Sequence, residues 1–206
     1  MPYYKNMNIA LIAGVDEVGR GAWAGPIVAA AVVLGEEIEG LKDSKKLSLK
    51  RRNELTIIIK NSAIAWSIAQ IEAAEIDEIG LGEANKRVMR MAIAGLGVRP
   101  CKVLCDGFCC GSDIEEEAII HGDDLCPQIS AASIIAKVYR DNLMHELHLK
   151  DARFGYDKHV GYGTKLHREM LEIHGVSENH RTSFKPLRGS EQRTENKDQR
   201  TVSSEQ

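Results

Sequence analysis

The stretch Asn8-Ile9-Ala10-Leu11-Ile12-Ala13-Gly14-Val15-Asp16-Glu17-Val18-Gly19-Arg20-Gly21 decides how the chain is read. Ile9, Leu11, Ala13 and Val15 alternate through an apolar run, which predicts a strand over residues 8–18. Asp16 and Glu17 then interrupt it, where charge is costly unless paired or bound to a cation. Neighbours on a regular strand point to opposite faces, so both carboxylates reach one site only if the strand ends or bends there. Gly14, Gly19 and Gly21 supply that freedom. The plainer reading of the pair is a strand end carrying two solvated acids.

Working outward, a second apolar, β-branched run at 27–34 follows Gly25-Pro26. Residues 48–60 read as a helix with Ser48 as N-cap, and 63–71 as a third strand. Residues 83–96 are helical, with Gly95 and Gly97 near the end. Residues 102–106 form a short strand ending at Gly107, and Ile119-Ile120 the core of another. Residues 127–150 make a long helix and 164–174 a further one, stopped by Gly175. This order predicts an α/β domain. Residues 189–206 are mostly Glu, Gln, Arg, Thr, Ser and Lys, with Gly189, Asn196, Asp198 and one apolar side chain, Val202, and read as a disordered tail after one catalytic domain at 1–188.

Composition narrows the function classes. The 206 residues carry a net charge of −3, so any nucleic-acid surface has to come from local clustering. No apolar run approaches membrane-spanning length and no signal-peptide pattern opens the chain, which makes the cytoplasm the default. Five cysteines, four of them between Cys101 and Cys110, are a poor disulfide framework and suit a reducing compartment. That cluster lacks paired C-x2-C spacing for zinc. Cys101, Val103 and Cys105 share strand parity and read as packing residues.

Two more acids sit where ligands gather. Asp106 ends an apolar strand, the usual ligand edge of an open α/β sheet, although Asp-Gly also starts turns. Asp123 and Asp124 precede the long helix; Asp124 fits the helix cap and leaves Asp123 available. Four carboxylates without a Cys/His set favour hard cations such as Mg2+. Two ions about 4 Å apart activate a water and stabilise the leaving oxygen of an in-line phosphoryl displacement.

The ordered set of motifs resembles the ribonuclease HII family. It comprises Asp16-Glu17 with Gly19-Arg20-Gly21, Ala24-Gly25-Pro26, Asp43-Ser44-Lys45-Lys46-Leu47, Asp106-Gly107, Gly122-Asp123, residues 129–141, Gly161-Tyr162-Gly163-Thr164 with His167, and His180-Arg181-Thr182-Ser183-Phe184. The resemblance implies an RNase H-like mixed sheet flanked by helices with a C-terminal helical part. It implies Asp16, Glu17, Asp106 and Asp123 as catalytic metal-binding residues taking Mg2+ or Mn2+. The implied activity is endonucleolytic cleavage of RNA in RNA–DNA hybrids and at single ribonucleotides embedded in duplex DNA, leaving 5′-phosphate and 3′-hydroxyl ends, by a monomer. Ala22-Trp23, where the family has Pro and an aliphatic residue, and Phe108-Cys109-Cys110 after Asp106-Gly107 depart from its pattern at the rim of the site.

An enzyme selective for RNA in a duplex must sense a 2′-hydroxyl. Gly19, Arg20 and Gly21 suit close backbone approach to a sugar and a phosphate contact. Tyr162, between two glycines, can stack on a sugar or base, a role the resemblance implies beside the ribonucleotide. Ser133, Lys137 and Arg140 form one stripe on the long helix. Lys137 and Arg140 are candidate phosphate or supporting contacts, with Asp141 as another partner for Arg140. Lys45 and Lys46, with Lys50, Arg51 and Arg52, make the densest basic patch for salt-dependent backbone binding. The seven histidines, mostly in the C-terminal half, read as surface or supporting groups. A strand-transferase or DNA nuclease of the same fold and a silent hybrid-binding module are the rival readings.

Overall fold

Gly14 governs the packing around β1 (Ile12–Val18). In the computed structural model, which describes residues 10–41 and 47–188, a Cβ at Gly14 would overlap the carbonyl of Gln128 and the amide of Ile129. The first turn of the helix α5 (Pro127–Lys150) therefore rests directly on the strand backbone. Any side chain at position 14 would push it away.

The strands form a mixed five-stranded sheet flanked by helices. β2 (Ile27–Val33) is buried at every residue, β3 is Ala65–Ile71, β4 Lys102–Asp106 and β5 Glu115–Ile119. The order β3-β2-β1-β4-β5 puts β1 in the middle. β1 pairs in parallel with β4, from Ile12 opposite Lys102 to Val15 opposite Cys105. One residue further, this register sets Asp16 beside Asp106 on a shared face, while Val15 and Cys105 turn into the opposite, buried side. β5 is an acidic edge strand. Lys102 reaches Glu115 at 3.2 Å and Glu117 at 2.7 Å, and such charge discourages further strand pairing.

Among the described residues the chain makes two compact units. The first holds 10–17, 29–41, 47–69 and 89–136, and the second 18–28, 70–88 and 137–188. In the first, α1 (Leu49–Ser62) is capped by Ser48, whose hydroxyl accepts the Arg51 amide at 3.2 Å. Ser130 of α5 donates to the carbonyl of Leu41. In the second, Ala24, Met144, Phe154 and Tyr156 form a buried cluster joined by Leu147, Val160, Met170 and Leu171. Its helices are α2 (Ala73–Ile79), the start of α3 (Leu81–Ala94), the end of α5, α6 (Tyr156–His159) and α7 (Lys165–His174), the last capped by Thr164.

Several elements differ from their sequence readings. β1 does end at Val18, as its apolar pattern predicts, and Asp16 and Glu17 lie inside it. The fifth strand is Glu115–Ile119, paired in parallel with β4; it starts earlier than the Ile119-Ile120 pair suggests and stops before Ile120, which is exposed. α2 has no counterpart in the sequence reading; Gly80, at φ 80°, separates it from α3. α4 (Gly122–Leu125) is preceded at its N-cap by His121 in the left-handed region, so neither Asp123 nor Asp124 is the cap. Lys45, Lys46, most of the Asp43–Leu47 motif and the 189–206 tail lie outside the described residues.

Replacing Gly14 with alanine is expected to lower stability by about 1–3 kcal/mol, as overpacking a tight contact does. The urea midpoint of Gly14→Ala against wild type checks it.

Candidate active site

In the first unit the β1–β4 register sets Asp16 beside Asp106, and a hydrogen bond from Gly122 ties the start of α4 to Asp106. Asp16 comes from β1, Asp106 from the end of β4, and Asp123 from the first turn of α4. Asp16 is 6% and Asp123 1% exposed, and both oxygens of Asp123 are closed off from solvent. The Asp106 carboxylate accepts the Gly122 amide at 2.8 Å, which ties the end of β4 to the start of α4 and sets Asp123 one residue further on. Glu17 follows Asp16 with opposite strand parity, and its amide donates to the Asp16 carboxylate at 2.7 Å.

Burial is the main force on Asp16. With the charges of Glu17 and Asp106 raising it too, and the Ser133 hydroxyl and the Glu17 amide pulling it back, the pKa stands raised to about 8. The groups that favour its charged form are the Ser133 hydroxyl and the Glu17 amide. A buried carboxylate pressed by two like charges is stabilised by an added cation, and its oxygen neighbours are the hard donors Mg2+ and Mn2+ prefer. The residues therefore fit a divalent ion. Ser133 meets Asp16 because α5 starts so close to β1.

The second unit brings together Gly19, Arg20, Gly21 and Tyr162. A Cβ added at Gly21 would meet the Tyr162 ring at ordinary van der Waals distance. Arg20 is exposed and Tyr162 half-buried. Beneath them lie two fully buried arginines. Arg181 donates to the carbonyls of Gly19 (2.8 Å), Arg20 (3.1 Å) and Gly25 (2.8 Å). Arg140 donates to those of Pro26 (2.9 Å), Val160 (2.9 Å) and Ala24 (3.1 Å). Gly19, at φ 87°, leaves room for Arg140, whose guanidinium also sits 5.6 Å from the centre of the Tyr162 ring. Burial, and then the neighbouring Arg140 charge, hold Arg181 below the usual arginine range.

Arg140 is thus a supporting contact, fully buried on backbone carbonyls; the charge of Asp141 acts on it, while the direct ion pair of Asp141 is with Lys137 at 2.8 Å. Sequence spacing placed Arg140 on a helix stripe but carried no sign of the carbonyls it holds. Arg181, visible in sequence only as part of a motif, was missed as the loop's anchor. In the basic patch Lys50 is exposed, and Arg51 is engaged by Glu54 at 3.3 Å.

The histidines depart furthest from the surface reading. His159, His167 and His180 are buried and stacked among Tyr156 and Phe154. Their hydrogen bonds fix the tautomers. His180 Nδ1 accepts the Ser177 amide at 2.9 Å, so its Nε2 donates to His167 Nε2 at 3.1 Å, and His167 Nδ1 donates to the Tyr162 carbonyl at 3.0 Å. This chain of neutral rings ends on the backbone of Tyr162. Burial pushes both His167 and His180 down to about 4.

The family model for ribonuclease HII matches residues 13–187. Similar relatives include ribonuclease HII of Acinetobacter baylyi, 50% identical over 182 residues that cover 86% of this chain and 96% of the relative. That of Vibrio campbellii is 47% identical over 190 residues, covering 91% and 90%. Among solved structures, ribonuclease H2 of Pyrococcus horikoshii superposes with a TM-score of 0.74 at 27% identity, over 88% of this chain and 97% of that one.

Two outcomes are expected. Saturating Mg2+ should raise the melting temperature of the wild type, and Asp16→Asn should lose that shift while its metal-free form melts no lower than wild type. Second, the unfolded chain takes up protons near the ordinary histidine value of 6.5, whereas folded His167 and His180 resist them until about pH 4. Stability should therefore fall as pH drops from 6.5 towards 4. Melting temperatures across that interval should show a shallower slope for His180→Asn.

Proposed function

The chain belongs to the ribonuclease HII family, a family of metal-dependent endoribonucleases acting on RNA–DNA hybrids, and from that premise we propose that it also nicks duplex DNA at single embedded ribonucleotides. Asp16, Glu17, Asp106 and Asp123 form the catalytic group and would hold Mg2+ or Mn2+. When bound, two such ions would supply activation of a water and charge stabilisation for the leaving 3′-oxygen. The observation that carries this reading is the burial of Asp16 against the charges of Glu17 and Asp106.

In the reaction the water oxygen bonds to the scissile phosphorus as the P–O3′ bond breaks. The water proton leaves and the 3′-oxygen is protonated, giving 5′-phosphate and 3′-hydroxyl ends. Ser133 orients Asp16, and the Gly122 amide orients Asp106. Gly19, Arg20 and Gly21 with Tyr162 read the sugar-phosphate backbone at the ribonucleotide. Arg181 and Arg140 bind the loop's carbonyls inward and the histidine chain holds the Tyr162 backbone, so this surface is preorganised. Lys137 contacts a phosphate by exchanging it for Asp141, and Lys45 and Lys46 add sequence-independent phosphate contacts. The proposed catalytic region is residues 1–188, acting as a monomer, with 189–206 as a tail and the cytoplasm as its location.

A DNA duplex carrying one ribonucleotide, incubated with and without Mg2+ or Mn2+, tests the proposal. Cleavage at the ribonucleotide, requiring the metal and falling to background in Asp106→Asn, is expected; full activity in that variant would remove Asp106 from the catalytic group. Tyr162→Ala should slow junction cleavage by on the order of 10–100-fold, the worth of one stacking contact. An unchanged rate would assign Tyr162 to packing alone.

A further inference from the structure

We propose that Cys105, Cys110 and Glu116 form a second metal site, for a soft divalent cation of the Zn2+ class, on the face of β4 opposite Asp106. The three side chains offer ligand atoms all within 4.8 Å of one another. Ligands around a tetrahedral zinc at thiolate distances stand about 3.8 Å apart, so only a small contraction closes the set. Two thiols and a carboxylate suit Zn2+, whereas a carboxylate set suits Mg2+.

Sheet parity explains the convergence. Cys105 pairs opposite Ala118 and Val103 opposite Glu116, so Cys105 and Glu116 share one face of the β4–β5 pair as diagonal neighbours. Asp106 turns to the other face, which separates this cluster from the candidate catalytic carboxylates. The loop after β4 folds back and brings Cys110 to Glu116, its Sγ 3.0 Å from Oε1.

Glu116 is preorganised as a ligand. Its oxygens accept the amides of Ser112 at 2.8 Å and Gly111 at 3.0 Å. These bonds and the Cys110 thiol outweigh partial burial and hold the carboxyl at about 2. Arg90 donates to the Cys110 carbonyl at 2.8 Å, placing a positive charge beside the negative ligand set. Cys109, exposed at the rim, interacts with both Glu116 and Cys105, and it or a water completes four-coordination. Binding forms two metal–sulfur bonds while the two thiols release two protons to solvent; no oxidation is involved.

The full chain, reduced, stripped with chelator and desalted, is titrated with Co2+ as a spectroscopic probe. A thiolate-to-cobalt charge-transfer band saturating at one Co2+ per chain and displaced by equimolar Zn2+ is expected, because cobalt on carboxylates alone gives no such band. Cys110→Ser should abolish the band, and Glu116→Gln should weaken binding about tenfold or more. Asp16→Asn and Cys101→Ser should leave it unchanged. No band with the thiols verified as reduced, or a band that persists in Cys110→Ser, overturns the site and leaves the cluster a thiol–carboxylate hydrogen bond. Formation of a Cys105–Cys110 disulfide without metal uptake by the reduced protein overturns it equally. Should Cys110→Ser fail to fold by circular dichroism, unchanged affinity in Glu116→Gln overturns the proposal.

Discussion

Burial of charge is the constraint on which both units are built. Taking a carboxylate or a guanidinium out of water is costly unless something replaces the lost hydration. In the first unit Asp16 is buried beside a hydroxyl, an amide and two like charges. In the second, Arg140 and Arg181 are buried on backbone carbonyls. The first arrangement leaves charge to be neutralised by a cation. The second is already satisfied and immobilises a loop.

These two solutions correspond to two tasks. A site that performs phosphate chemistry needs concentrated negative charge, and it carries the strain of holding it before the cation arrives. A surface that recognises a sugar-phosphate backbone needs rigid shape more than charge of its own. Buried guanidiniums gather the carbonyls of Gly19, Arg20, Ala24 and Gly25, and neutral histidines fasten the Tyr162 carbonyl. Val160, at φ 43°, occupies a conformation that β-branched residues rarely adopt, and its carbonyl is one of those Arg140 holds.

The β4–β5 pair shows how parity partitions function. One strand presents Asp106 to one face and Cys105 to the other, with a single peptide between them. The acidic run Glu115-Glu116-Glu117 divides likewise. Glu115 and Glu117 pair with Lys102, whereas Glu116 turns towards the cysteines.

The local sequence carried the element types and much of their extent: 127–150 as one helix, Ser48 as a cap, Gly175 as the stop of the last helix, and the apolar strands around Asp16 and Asp106. Propensity, periodicity and capping act within a few residues, so they are legible in a single chain. It also singled out the four acids and the Gly19–Tyr162 elements, because charge inside an apolar run and an aromatic between glycines are local anomalies. What each group touches depends on how distant parts of the chain fold together. Arg140 and Arg181 look like surface cations in sequence and are buried. The histidines look like scattered polar residues and form a neutral chain. The cysteines lack a zinc spacing in sequence, yet Cys105 and Cys110 meet Glu116 across a strand pair. These outcomes follow from strand register and from the close approach of α5 at Gly14, which are set by contacts between residues distant in the chain.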